Sequence, residues 1–246
     1  MDLKEVRIWN IKYNLLTEFE IAKIVDEWLS KGRKGIHLTG VNGDIVARAQ
    51  DDELLNRAIM ESDIVNIDSM LPALFLKKAG YDVKGRASTP DVMEEFFKIA
   101  NSKKQKVFFL GAKQDTLDKL KVVLEKEYPD MKIVGMQNGY YKKEEEAEII
   151  DRINTTAPDY LYIALPSPGK ELFILNHKKS LNVGVFYGVG GALDAKSGVL
   201  KRPPKWLRGY GMEGILRMLR RPRVYAARLP LTFKFLHVVK NQRKAN

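Results

Sequence analysis

Short apolar runs alternate with amphipathic stretches along most of the chain, and this alternation predicts a repeat of strands and helices. Ala22–Ser30 has helical spacing after an extended start, and Ile36–Leu38 predicts the first buried strand, with Gly40 to Gly43 as a tight loop behind it. Apolar residues recur at helical spacing through Glu53–Met60, and the run DIVNID predicts a strand that ends in Asp68. Lys77 to Gly85 reads as a basic, glycine-punctuated connection. Thr89, Pro90 and Asp91 open a helix through Asn101, with Thr89 as its cap and Pro90 in its first turn. KVFFLGAKQ is a strand ending at Gly111, followed by a helix over Asp115–Tyr128. The runs Lys132–Met136 and Tyr160–Leu165 flank an acidic helix around Glu144–Asn154; Glu171–His177 is helical and Asn182–Gly188 is the last strand. Strands alternating with helices of this length predict an α/β fold: a Rossmann-like, mostly parallel sheet with right-handed crossovers, flanked by helices on both faces. Ligands of such sheets bind beyond the carboxyl ends of the strands, so polar residues just after the apolar runs are the candidates for chemistry.

After Gly188 the pattern changes. A glycine-rich stretch and a proline break lead into Gly209 to Arg221, where Ile215, Leu216, Met218 and Leu219 interleave with Arg217, Arg220 and Arg221. Beyond Pro222, a second segment carries Tyr225, Leu229, Leu231, Phe233, Phe235, Leu236, Val238 and Val239 among basic residues. Charge follows the same division. Residues 196–246 hold 14 Lys and Arg against one acid, Glu213, a net +13, whereas the preceding 195 residues hold 28 basic and 30 acidic side chains, a net −2. The overall +11 of this 246-residue chain therefore belongs to its tail. The expected organisation is a body over 1–195 and a basic amphipathic helical appendage over 196–246. Bulk charge alone admits nucleic acid as a partner. Bulky apolar residues in helical register favour an anionic membrane surface, with arginines reaching the headgroups. Packing of the tail on its own body or on a partner is the remaining reading.

The absence of cysteine excludes a disulfide framework, thiolate metal sites, a cysteine nucleophile and iron–sulfur clusters. Three scattered histidines, His37, His177 and His237, do not suggest a metal cluster, and a packed or exposed role suits them better than catalysis. No apolar signal segment opens the chain and no run is long enough to span a bilayer, so work on the cytoplasmic side is expected. Neither GxGxxG nor GxxxxGK[ST] occurs. General-base work then falls most naturally to Asp68, directly beyond a strand, although a cap or loop acid is an equally ordinary use of that position. Asn42 and Asp44 occupy a comparable loop, where turn roles compete with ligand binding. The GVGG stretch at Gly188, Gly190 and Gly191 offers close backbone approach to a diphosphate, against a plain turn. Arg86 offers a planar phosphate clamp, against a helix cap or surface ion pair. Lys170 and Glu171 follow LPSPG at another strand end; Glu171 also suits a helix's first turn.

Taken in order, VNGD, NIDSM, GRASTPD, FFLGA, YPDMKIVGMQNGYY, PDYLYIALPSPGKE, GVGGALDAKSGVLKRPPKW and GMEGILRMLRRPR resemble the bacterial WecG/TagA/CpsF glycosyltransferase family, from about Ile36 to Phe235. The last two motifs, with Trp206, Glu213 and Arg217, are the most diagnostic. The resemblance implies a UDP-sugar-dependent hexosyltransferase that acts with inversion on an undecaprenyl-diphosphate-linked saccharide in teichoic acid or exopolysaccharide synthesis, moving N-acetylmannosamine or a related sugar. It implies Asp68 as the general base on the acceptor hydroxyl, with Arg86 offsetting charge on the departing diphosphate. Substrate contacts would come from Thr39, Asn42, Asp44, Lys170, Glu171 and the glycines at 188, 190 and 191. The tail arginines Arg202, Arg208, Arg217, Arg220 and Arg221 would meet the membrane or the diphosphate. No cofactor or metal is implied.

Two departures from the family pattern bear on substrate. Gly40 stands where a threonine is usual, with Thr39 one position early, and Lys170 stands where a glutamine is usual. A lysine lacks an amide's paired donor and acceptor but can meet a carboxylate or phosphate, which points to a glucose or uronic acid donor as the alternative. A non-catalytic partner in carbohydrate assembly is the second alternative. The expected partners are a UDP-sugar, the lipid-linked acceptor and the anionic cytoplasmic face of the membrane, with peripheral attachment and no nucleic acid; self-association is left open.

Overall fold

The computed structural model describes residues 3, 5–200 and 226–242. Six strands form one all-parallel sheet: β3 (Ile36–Val41), β4 (Ile64–Ile67), β5 (Lys106–Gly111), β6 (Lys132–Gln137), β7 (Tyr160–Ala164) and β8 (Val185–Gly188), in the order β4-β3-β8-β7-β5-β6. The predicted α/β class is therefore observed. The four central strands are buried on both faces, which is why they read as continuous apolar runs rather than as alternating ones.

Alternation within each strand assigns side chains to one face or the other. Ile36 and Leu38 of β3, Ile64 of β4, Tyr160 and Tyr162 of β7 and Val185 and Tyr187 of β8 face a layer formed by α1 (Glu18–Ser30), α5 (Thr89–Ser102), α6 (Gln114–Glu127) and α9 (Ala192–Lys196). There Phe97 meets Tyr162 edge to face at 5.1 Å, and Phe109 stacks on Tyr162 at 5.3 Å. The other face packs on α7 (Glu146–Thr156) and α8 (Gly169–His177) at one side. At the other side lie α2 (Gly43–Ala49), α3 (Glu53–Met60) and α4 (Met70–Lys78), together with an N-terminal hairpin of β1 (Glu5–Ile8) and β2 (Ile11–Asn14). Helix α1 begins four residues before the expected Ala22 because Thr17 and Glu20 form a reciprocal capping box.

The final helix, α10 (Leu229–Gln242), lies within the region that charge assigns to the appendage, yet it seats Phe235 and Val239 in the same apolar cluster as the hairpin and α2. Phe235 is fully buried, edge-on to Trp9 at 5.4 Å and to Phe75 at 5.9 Å. Residue 43 is a glycine where the Phe235 ring passes: a β-carbon there would lie 3.3 Å from the ring. The opposite face of α10 leaves Leu229, Phe233 and Leu236 exposed, and Lys240 continues that stripe one turn further.

Candidate active site

Asp68 stands one residue past β4, with its amide still donating to Val41 O of β3 at 3.0 Å. It shares the face of Asn66 by strand alternation, and both meet the start of α5. The Thr89 amide donates to Asp68 Oδ1 at 2.6 Å, and Asn66 Nδ2 donates to Ala87 O at 2.6 Å. Ser88, at the cap position of α5, gives no side-chain bond to the helix amides; its hydroxyl pairs with Asp91 instead. An amide of the first turn, which has no partner within the helix, is thus satisfied by a carboxylate from another element. Half-buried Arg86 precedes the clamped Ala87, so β4 also fixes the end of the loop that carries this arginine.

Tyr187 of β8 brings its hydroxyl beside Thr89, Asn66 and Asp68, without the geometry of a hydrogen bond to any of them; burial pushes its ionisation far up, so it stays a neutral phenol. From the far side of the sheet edge comes Lys170, in the first turn of α8. Its stem lies against Gly188 and Gly190, where β-carbons would sit 3.2 and 3.7 Å from it. A side chain at 188 would crowd that stem, so this glycine provides room for the lysine. Lys170 pairs with Glu171, and burial lowers its pKa to about 8 while the charge of Asp68 opposes that shift. The other Glu171 oxygen, Oε2, is buried without a partner, as are Ser167 Oγ and Asn66 Oδ1. Unsatisfied buried oxygens each carry a desolvation cost.

The structure thus brings Asp68, Lys170, Glu171, Gly188 and Gly190 to one end of the sheet. Asn42 directly follows β3 but serves α2: the strand runs on through Val41, and Asn42 Oδ1 accepts from Ile45 N at 3.1 Å as the helix cap. Asp44, raised above the usual carboxylate range by burial, faces Arg228 at 3.8 Å and links α2 to the segment before α10. Gly191 holds the cap position of α9. Thr39 turns to the opposite face, where its hydroxyl bonds His37 Nε2 at 3.0 Å and Ser62 Oγ at 2.8 Å; it is not brought to this group. Burial holds His37 neutral, with its pKa lowered to about 3. His177 pairs with Glu146 at 3.0 Å and His237 with Asn241 at 2.8 Å, both away from Asp68 in the fold. The tail arginines at 202, 208, 217, 220 and 221 lie outside the described residues. Asn66, Thr89 and Tyr187 join the site without having been singled out for it; an asparagine inside the run DIVNID, two residues before Asp68, is a signal the sequence held for the first of them.

A parallel sheet with a carboxylate, a buried lysine–glutamate pair and close-packed glycines at its carboxyl edge defines an α/β protein of the class that holds its ligand at that edge. The chain belongs to the glycosyl transferase WecG/TagA/CpsF family, which residues 6–246 match. It is similar to the N-acetylglucosaminyldiphosphoundecaprenol N-acetyl-beta-D-mannosaminyltransferase of Bacillus subtilis (strain 168), at 27% identity over 209 residues that cover 85% of this chain and 81% of the relative. The protein of the same name from Bacillus spizizenii (strain ATCC 23059 / NRRL B-14472 / W23) is 26% identical over 210 residues, with the same coverage. Among the described residues no helix is long and apolar enough to cross a membrane, and no group of three or more His, Asp or Glu side chains is placed to hold a metal.

Proposed function

We propose that the protein is an inverting hexosyltransferase that moves a sugar from a UDP-sugar to a hydroxyl of an undecaprenyl-diphosphate-linked saccharide. The observation that carries this reading is Asp68, held between β4 and the Thr89 amide at the carboxyl edge of the sheet, beside the Lys170–Glu171 pair. Asp68 accepts the proton of the acceptor hydroxyl while that oxygen bonds to the anomeric carbon, and the bond from that carbon to the diphosphate breaks on the opposite face. Negative charge grows on the departing UDP. Arg86 meets it, with the tail arginines, in place of a metal ion. Gly188, Gly190 and Gly191 present backbone to the diphosphate, and Asn42 uses the amide nitrogen that its cap does not engage. Glu171 Oε2 accepts a sugar hydroxyl. The Lys170 ammonium meets a carboxylate, which favours a uronic acid over N-acetylmannosamine as the donor.

The acceptor's lipid requires the enzyme to work at a bilayer. In this reading the exposed stripe Leu229, Phe233, Leu236 and Lys240 faces the anionic cytoplasmic surface. The test is a panel of UDP-sugars with undecaprenyl-diphosphate-linked N-acetylglucosamine as acceptor, with the product weighed by mass spectrometry. A product from one donor, lost by about 10² to 10⁴-fold in Asp68→Asn, is the expected result. Wild-type turnover in Asp68→Asn removes this aspartate as the base. No UDP release with any donor supports the non-catalytic reading, which would also explain the departures at Gly40 and Lys170.

A further inference from the structure

We propose that Gly40 and Thr89 form an interlocking pair that sets the position of Asp68, so that Thr89 is a positioning residue of the site and Gly40 is the clearance it requires. The inference rests on the reading of Asp68 as the base. Gly40 is the last residue of β3 on the face toward α5. A β-carbon built there would fall far inside contact distance of Thr89 Oγ1, 3.3 Å from Asn66 Nδ2 and 3.4 Å from Asp68 Cβ. The Thr89 hydroxyl therefore occupies the space that any side chain at residue 40 would need. The same residue's amide is the donor to Asp68 Oδ1 at 2.6 Å. Hydroxyl and amide belong to one residue; of the two other χ1 rotamers of this β-branched side chain, one puts the methyl group in the same space, so a turn to the single remaining rotamer is the one way to clear residue 40 without moving the amide.

Thr89 has nowhere cheap to go. It is buried, Pro90 follows it in the first turn, and Val92, Met93, Phe96 and Phe97 hold α5 in the core. Interiors packed to this density transmit a local displacement instead of absorbing it. Where the side chain does not turn, a methyl group at residue 40 shifts Thr89 by on the order of 1 Å, and a misplacement of that size costs about 10²-fold in rate where a reacting group must be aligned.

A double-mutant cycle tests this, with Gly40→Ala, Thr89→Ala and both together. Alanine at 89 removes the obstructing oxygen and keeps the amide. Turnover is measured with the donor and acceptor pair that gives product, and melting temperature is measured on the same proteins. Gly40→Ala is expected to lower kcat about 10²-fold with donor KM within about threefold, and the double variant to recover to within about fivefold of wild type. Melting temperature is expected to show the same recovery, which reads the contact independently of any donor. Gly40→Ala within twofold of wild type in kcat, or a double variant no better than Gly40→Ala in both readouts, overturns the pairing. Melting recovery without recovery of kcat limits the pair to stability and overturns the positioning role. Wild-type turnover in Asp68→Asn is the separate sign that the base assignment is at fault.

Discussion

Phe233 and Phe235 stand two residues apart on α10 and face opposite ways, and their truncation separates the two uses of that helix. Phe235 is fully buried between Trp9, Phe75 and the Gly43 backbone; Phe233 is 67% exposed. Removing a buried phenyl ring forfeits its transfer energy and leaves a cavity, together about 3–5 kcal/mol. In a protein of this size each kcal/mol lowers the melting temperature by about 2–4 °C, so Phe235→Ala is expected to melt about 6–20 °C below wild type. Phe233→Ala is expected to change stability by no more than about 0.5 kcal/mol. On anionic liposomes the order reverses. Losing a phenyl ring that would enter the bilayer removes about 1.5–3 kcal/mol, at least a tenfold drop in partitioning for Phe233→Ala. Calorimetry and co-sedimentation give the two readings. A Phe235→Ala protein melting within about 1 °C of wild type would refute the docked helix, and undiminished sedimentation of Phe233→Ala would refute its membrane face.

Lys170→Gln is expected to shift donor preference toward an N-acetylated sugar in the same UDP-sugar panel; an unchanged ranking of donors removes Lys170 from selectivity. With an acidic donor, KM is expected to rise as pH passes about 8, where the buried ammonium loses its proton, and Lys170→Gln is expected to flatten that profile. Burial lowers the folded pKa of Lys170 below its ordinary 10.5, so folding expels a proton between about 8 and 10.5 and this group's contribution to stability rises with pH across that window. At the other end of the scale, bonds from Lys84 and from the Thr17 amide lower the Glu20 pKa to about 2. Its stabilisation is full above about 4.5 and fades as pH falls toward 2, so Glu20→Gln is expected to melt lower than wild type at pH 6 and equally at pH 2. Thr17→Ala, which removes the other half of the capping box, is expected to cost about 1 kcal/mol in urea denaturation.

The central strands were legible because a strand buried on both faces needs an unbroken apolar run, and Glu53–Met60 was legible because its stripe has one period. Three elements were not. The β1–β2 hairpin turns at Trp9 and Asn10, both at positive φ (55° and 56°), where a glycine would have signalled the turn; the Trp9 ring is held by Phe235 from the far end of the chain. Helix α4, MLPALFLKK, carries Pro72 and apolar residues all round, so it has no polar face to reveal it. Helix α2 is seven residues long and starts on Gly43. At the site, Asp68, Lys170 and Glu171 were readable from their places after strands. The turning of Thr39 to the far face was not, since it depends on Gly40 and Val41 staying in the strand. The link of Thr89 to Asp68 joins elements 21 residues apart and follows from helix packing, which periodicity does not describe.

The meeting of Trp9 and Phe235 has a consequence for how the chain is made. Strand β3 lies between β4 and β8, so the sheet edge that carries Asp68 is complete only when residues 185–188 have been synthesised. The hairpin waits longer still, because part of its apolar cover is α10. Contacts of such long sequence separation form late and slowly. Until α10 has been synthesised, the nascent chain therefore holds an uncovered Trp9, apolar surface of the kind that makes partly folded chains prone to aggregation. The same contact makes the last helix a checkpoint for production: a polypeptide cut short before residue 229 lacks the cover for its own beginning.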